Sequence, residues 1–294
     1  MSARRVDPAR DEAVRAALER VRAGCDVEAR RAADPVEFVH RYSARDDQEL
    51  VALVASSLAF GNVKALRAKI EDALARLGPE IALTADDEAL VGARLRGWKH
   101  RVYRGDDLAR LLVGARRVQR QAGSLGGALA TELARTGDLR SALSAWTGAI
   151  RRAGALDRAG RKRSGARHIL ADPAAGSAAK RLMLLLRWMS RAADGVDLGL
   201  WDVPTWRLLV PVDTHIHKLG SNLGFTRRKG ATWKAAEDIT AALRRFDPVD
   251  PVKYDFALCH LGMLQRCPSR RDPARCEGCG IIDVCRHWSP RSRG

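Results

Sequence analysis

The chain has 294 residues, 46% of them hydrophobic, enough for one large or two small domains with a proper core. No apolar run approaches the roughly 18 residues of a membrane span, and no apolar segment follows the polar start at Met1–Arg5. The expectation is therefore no membrane, no signal peptide and a cytoplasmic, nucleoid-associated location. The 52 basic residues against 35 acidic ones, a net charge of +17, suit a polyanionic partner, nucleic acid or an anionic membrane surface.

Residues 8–33, rich in Ala, Arg and Glu, predict one or two helices. Arg41–Gln48 is a polar break in which Asp46 or Asp47 is placed to cap the next helix. Leu50, Leu53, Val54 and Leu58 then form the apolar stripe of a buried helix that ends near Gly61-Asn62, and a second helix runs from Val63 to about Leu77. Gly78-Pro79 marks a turn, and residues 80–105 read as irregular. There Trp98, Lys99, His100, Arg101 and Tyr103 interleave aromatics with cations, a pattern that either stacks on bases or packs as a loop. Asp106 or Asp107 caps a helix through Leu108, Leu111, Leu112 and Ala115, and Ser124–Ile150 supplies two more. Residues 157–173 read as a basic connector. Helices from about Trp233 to Phe246 and from Pro251 to Leu264 complete the set. Alternating Val, Ile and Thr are almost absent, so the expected fold class is all-α.

Two stretches carry chemistry. In the first, Ser177 reads as an N-cap, which makes Ala178 and Ala179 the first helical residues and puts Lys180 third, where a capping box wants Glu or Gln. Lysine has the wrong charge for that end of the macrodipole, and an amine in such a place is biased toward its neutral, nucleophilic form. Leu182, Leu185, Leu186 and Met189 give this helix a core face, with Lys180, Arg187 and Arg191 on the opposite, basic side. Asp213 follows the apolar run Leu208–Val212 and precedes another helix, where it reads either as an acid facing the lysine or as an ordinary cap. Between Arg151 and Arg191 there are 11 Arg or Lys against Asp157 and Asp172, a basic zone that is either a phosphate-binding surface or a solvated face.

The second stretch is Cys267-x8-Cys276-x2-Cys279-x5-Cys285. Four thiolates on short loops hold either zinc or an iron–sulfur cluster, and a single C-x2-C knuckle with unequal gaps leans toward [4Fe–4S]. Arg266, Arg270, Arg271, Arg275 and Arg286 surround the ligands. Cys259 reads as core and Cys25 as a bystander.

With both stretches in view, the chain resembles the helix-hairpin-helix DNA glycosylases, specifically the endonuclease III-like branch with a C-terminal iron–sulfur loop. Val212-Asp213-Thr214-His215-Ile216 resembles the segment bearing that family's aspartate, the Lys180 helix its catalytic lysine helix, and the last two cysteine gaps its cluster loop. The usual Leu-Pro-Gly-x-Gly of the hairpin is reduced to Pro173-Ala174-Ala175-Gly176, and the first cysteine gap is two residues longer. The resemblance implies a bilobal protein, residues 46–222 forming a helical barrel lobe and residues 1–45 with 223–294 a second lobe carrying the cluster. It implies a monomer that excises a damaged base from double-stranded DNA and cleaves abasic sites, with Lys180 as Schiff-base nucleophile and Asp213 as its electrostatic and acid–base partner. Gly176, Ser177, Arg181, His215, Lys218 and Asn62 are the expected DNA contacts, and Cys267, Cys276, Cys279 and Cys285 the cluster ligands. The alternatives are a non-catalytic binder of DNA structure on the same scaffold and a zinc-containing nucleic-acid-binding module.

Overall fold

A computed structural model describes residues 7–160 and 164–288. The N-terminal helices are α1 (Pro8–Ala23), α2 (Val27–Ala33) and the single turn α3 (Glu37–His40), followed by the central α4 (Arg45–Leu58) and α5 (Val63–Leu77). Two short helices come next, α6 (Ile81–Asp86) and α7 (Glu88–Arg94). A two-residue hairpin pairs β1 (Lys99–His100) with β2 (Tyr103–Arg104). Then come α8 (Gly105–Ala122), α9 (Leu125–Thr136), α10 (Leu139–Ala153), α11 (Leu156–Gly160) and α12 (Ser164–Ile169). The remainder is α13 (Lys180–Ser190), α14 (Thr214–Leu223), α15 (Trp233–Arg244), α16 (Asp255–Leu264) and α17 (Pro273–Cys276). The protein is all-α apart from that hairpin among the described residues. No helix of the described residues is long and apolar enough to cross a membrane.

The stretches expected to be irregular are more helical than their composition suggests. Residues 80–105 hold α6, α7 and the hairpin, and the 157–173 connector holds most of α11 and all of α12. The interleaved aromatics of the hairpin point inward, with Trp98 and Tyr103 fully buried, so this segment packs rather than displaying rings to solvent. Helix α4 begins at Arg45 with Ala44 as its cap. Asp47 instead accepts the Ala82 backbone N–H at 2.7 Å, tying α4 to α6. Helix α8 starts at Gly105, where Asp107 reaches back to the Arg104 N–H at 2.9 Å; a β-carbon at Gly105 would sit 1.9 Å from the Leu95 carbonyl oxygen.

α4 runs through the middle of the molecule and has no exposed residue from Asp47 onward except the half-buried Gln48. It packs on α13, α8 and α6, and α14 packs on α16, which in turn meets α1. A buried carboxylate, Glu49, holds the centre together. It accepts from Gln119 Nε2 (2.7 Å), Trp201 Nε1 (2.7 Å) and the backbone N–H groups of Leu125 (2.8 Å) and Gly126 (3.3 Å) at the start of α9. Four donors converging on one side chain fix α4, α8, α9 and the 191–203 loop together, because each would be left unsatisfied without it. One continuous apolar core runs from Val14 to Val284.

Candidate active site

Between α4, α13, α14 and α16 lies a cleft of about 910 Å³ with apolar walls and several ionisable groups. Helix α13 enters it from a strained turn. Ser177 does not cap the helix. Its hydroxyl accepts the Ala179 N–H at 3.2 Å, and Ala179 itself, at φ 47°, is the cap residue, so Lys180 is the first helical residue rather than the third. An alanine held in the left-handed region costs roughly 1 kcal/mol, and such strain gathers at functional sites. The preceding 3-10 turn, Pro173–Ala175, is held by Arg140, which donates to the Pro173 and Ala174 carbonyls, and by Ser144, which donates to Asp172 at 2.7 Å.

Asp213 caps α14 with one oxygen and faces the cleft with the other. Oδ1 accepts the His215 and Ile216 N–H groups at 2.8 and 2.9 Å, while Oδ2 lies 3.6 Å from Lys180 Nζ. The lysine amine also reaches the Ala59 carbonyl at 3.5 Å, at the C-terminal end of α4. Cap and acid are therefore both true of Asp213. The lysine and the carboxylate, 33 residues apart in the chain, meet at the cleft wall with side-chain exposures of 30% and 19%.

Helix α16 supplies residues that its apolar periodicity concealed. Asp255 and Cys259 are one helical turn apart on the face that lines the cleft, and Cys259 Sγ lies 4.0 Å from Asp213 Oδ2. Cys259 is thus part of the site and not simply core. Burial, followed by the Asp213 charge, pushes its thiol well above the ordinary value. Burial likewise raises Asp34, and raises Asp255 to about 6 against the opposing charge of Arg187. It lowers His260 to about 4, which leaves that ring neutral at pH 7.

The basic face expected of α13 is not a surface. Arg187 is 2% exposed and pairs with Asp197 and Asp255, and Arg191 pairs with Asp194, Asp197 and Asp250. Acids from the 194–197 loop and from residues 250 and 255 neutralise these arginines inside the protein. Residues 161–163, which carry three more of the counted charges, lie outside the described residues.

The other anticipated contacts are scattered. Gly176 (φ 93°) and Ser177 are exposed on the turn before α13, and Ser177 bridges to Thr232. His215 lines the cleft, and Lys218 is exposed on α14. Asn62 is exposed and caps α5 by accepting the Ala65 N–H at 3.0 Å. Arg181 turns inward, donating to the Ser57 carbonyl at 2.7 Å and to the Tyr103 hydroxyl and the His168 carbonyl. At the cleft rim Phe60 meets His100, Tyr103 and His168 edge to face at 5.3–5.6 Å, and Arg101 and Arg181 stand over its ring.

Cys267, Cys276, Cys279 and Cys285 line one small cavity of about 20 Å³, with Asn222 donating to Cys267 Sγ at 3.3 Å. Among the described residues no group of three or more His, Cys, Asp or Glu stands close enough to hold a single metal ion. Against the same cavity, His287 Nε2 and Trp288 Nε1 are buried without a partner.

No curated protein matches the chain, and no solved structure does. A family profile described as "Protein of unknown function (DUF2400)" matches residues 34–264, which takes in Asp34, both members of the Lys180–Asp213 pair and all of α16, and stops short of the four cysteines. With well over half of its length matched, the chain belongs to the DUF2400 family.

Proposed function

We propose that the protein is a DNA base-excision glycosylase with abasic-site lyase activity, on a bilobal scaffold in which residues 46–222 and residues 1–45 with 223–294 form the two lobes. One observation carries this reading: the Lys180 amine faces the Asp213 carboxylate at 3.6 Å in a cleft of about 910 Å³, wide enough for an everted nucleotide. In this mechanism Asp213 takes a proton from the lysine, whose free amine attacks the sugar C1′. The bond from C1′ to the base breaks, its electron pair leaving with the base, which takes up a proton. The C1′–O4′ bond then opens, its electron pair going to O4′ with one of the amine protons, and leaves an iminium joining the sugar to Lys180. The proton that Asp213 received passes to the departing base, so Asp213 is a carboxylate again and opposes the positive charge on the sugar. The substrate is double-stranded DNA with a damaged base or an abasic site, bound by a monomer. The exposed turn at Gly176 and Ser177, with Lys218, Asn62 and His215, offers backbone and polar contacts to it.

The four-cysteine cavity fits a [4Fe–4S] cluster better than zinc. Its four thiols share one cavity, and Trp288 Nε1–H and a His287 ring nitrogen are buried beside them without a partner; a [4Fe–4S] cluster would bring sulfur acceptors beyond the thiolates, which a zinc ion would not. Such a cluster would be held by Cys267, Cys276, Cys279 and Cys285 and would order the C-terminal loop. Iron and sulfide in the purified protein, with absorbance near 400 nm, support the cluster; zinc alone counts against it.

Borohydride trapping on a duplex with a single abasic site tests the main reading. A covalent adduct is expected from the wild type and none from Lys180→Ala. An adduct that survives the substitution removes Lys180 as nucleophile. The Pro173–Ala175 3-10 turn, standing where the glycosylase hairpin has its glycines, favours a second reading as a non-catalytic binder of DNA structure. Binding to duplexes with neither excision nor trapping on a broad lesion panel would establish that reading instead.

A further inference from the structure

Behind the Lys180–Asp213 pair the cleft has a polar inner wall that the excision chemistry does not use. Arg187 and Asp255, each 2% exposed, both reach it. The guanidinium gives Nε to Asp197 and Nη1 to Asp255 Oδ2, which leaves its Nη2 with no partner. Asp255 Oδ1 has none either. A buried ion pair of this kind keeps one donor and one acceptor that a ligand can pair with.

Asp34 stands on the same wall. Its Oδ1 accepts the Val36 N–H at 3.0 Å. Its Oδ2 lies 4.0 Å from His260 Nε2, beyond hydrogen-bonding distance, and the neutral ring does not offset its charge. Three functions without a hydrogen-bond partner therefore belong to side chains that line the cleft: two carboxylate oxygens and one guanidinium nitrogen.

We propose that Arg187, Asp255 and Asp34 form the subsite that reads the polar edge of the everted base, and that it selects a guanine-type edge. A guanine ring presents two donors, N1–H and the 2-amino group, beside one acceptor, O6, the complement of two carboxylates and one guanidinium. A uracil-type edge presents acceptor, donor, acceptor, and so sets two carbonyls against a wall of carboxylates. Adenine presents one donor and one acceptor and leaves a buried carboxylate unpaired. A site built to pair with polar groups rejects a ligand that lacks them, because its own groups are then left desolvated and unsatisfied. Asp213 and Lys180 act on the sugar, whereas this wall acts on the base. The assignment rests on the glycosylase reading.

The test compares single-turnover excision on duplexes carrying one 8-oxoguanine, one 7-methylguanine or one uracil with borohydride trapping on a duplex that has an abasic site and no base to read. The wild type is expected to release at least one of the guanine-ring lesions at least tenfold faster than uracil. Asp34→Asn and Asp255→Asn are each expected to lose at least tenfold more on that lesion than on abasic DNA. Asp34→Asn keeps the test open should Asp255→Asn fail to fold, since Asp34 lies outside the buried Arg187 pairs. Asp197→Asn, whose carboxylate meets Arg187 without lining the cleft, is expected to lower thermal stability and keep the preference within twofold. A wild type that traps on abasic DNA but favours uracil, or variants that lose base-bearing and abasic DNA equally, would overturn the subsite and leave the glycosylase reading standing. A wild type that neither traps nor excises removes both.

Discussion

Asp213→Asn separates the two roles that meet in one carboxylate. The cap role uses Oδ1, which accepts two backbone N–H groups, and an asparagine carbonyl can take over that task. The folding cost should therefore stay below about 1 kcal/mol, whereas Asp213→Ala loses the cap as well and should cost about 1 kcal/mol more. The second role uses Oδ2 and its charge. Two unit charges 3.6 Å apart interact by about 4–5 kcal/mol at an effective dielectric constant near 20. Partial exposure of both side chains screens this, so about 3 kcal/mol is a working figure for what the charge gives the transition state. That corresponds to on the order of 10²-fold in the chemical step. Three measurements on the same preparation decide the matter: single-turnover excision on a lesion duplex, binding to the uncleaved duplex by anisotropy, and urea unfolding. Excision should fall about a hundredfold while binding and the unfolding midpoint barely move. Parallel loss of binding and excision, or an excision change under about fivefold, would reduce Asp213 to a helix cap.

His260, lowered to about 4 by burial, stays unprotonated in the folded protein while the unfolded chain takes up a proton below about 6.5. Its contribution is present above pH 6.5 and is lost as the pH falls to about 4, roughly 3 kcal/mol in all. Asp255, raised to about 6, works in the opposite sense, losing stability as the pH rises between about 4 and 6, so the wild-type profile is flattened. Urea unfolding of wild type and His260→Gln at pH 7 and pH 4.5 isolates the histidine, and a gap that does not shift toward the variant at low pH counts against its burial. Ala179→Gly should stabilise by about 1 kcal/mol by releasing the left-handed alanine, and a loss on denaturant titration would mean that the methyl packing outweighs the strain. Glu49→Ala strands four donors in the core and should cost on the order of 3–5 kcal/mol; less than about 1 would refute its place at the centre of the helix packing.

The helical class was legible in the sequence because Leu50, Leu53, Val54 and Leu58 repeat at helical spacing and nothing alternates. The long helices followed from the same stripe. The short ones, α6, α7, α11 and α12, span fewer than eight residues each, too few turns for periodicity to register. Ser177 looked like a cap because a serine turn and a serine cap share one signature, a hydroxyl accepting an N–H two or three residues on. Arg187 and Arg191 looked like surface because the acids that bury them are up to 68 residues away, a fact no local pattern carries. Cys259 and Asp255 were hidden the other way round: the apolar run of α16 argued for core, yet one face of that helix closes the cleft. Lys180 and Asp213 stood out because each broke or satisfied a helix-start rule. Their meeting sets the start of α13 beside the start of α14, 33 residues apart in the chain, which neither stretch carries on its own.

Burial of Arg187 and Arg191 removes both from any surface that the proposed DNA substrate could meet. The Ser177–Thr232 bridge brings the segment between α14 and α15 beside the turn that leads into Lys180. Arg227 and Lys229 are exposed on that segment, as are Lys218 on α14 and Lys234 on α15, whereas Arg228 is held by Asp238 at 2.8 Å. Cations of this kind bind phosphates by releasing counterions, so each contact adds about 0.9 to the slope of log affinity against log salt. Replacing Arg227 and Lys229 together by Gln should lower that slope by nearly 2, measured by anisotropy on an undamaged duplex between about 50 and 200 mM salt. The same pair of changes should leave the unfolding free energy within about 0.5 kcal/mol, since both side chains stand in solvent. An unchanged slope would place the duplex on another face of the molecule, and Lys180 would then open away from the DNA it is proposed to attack.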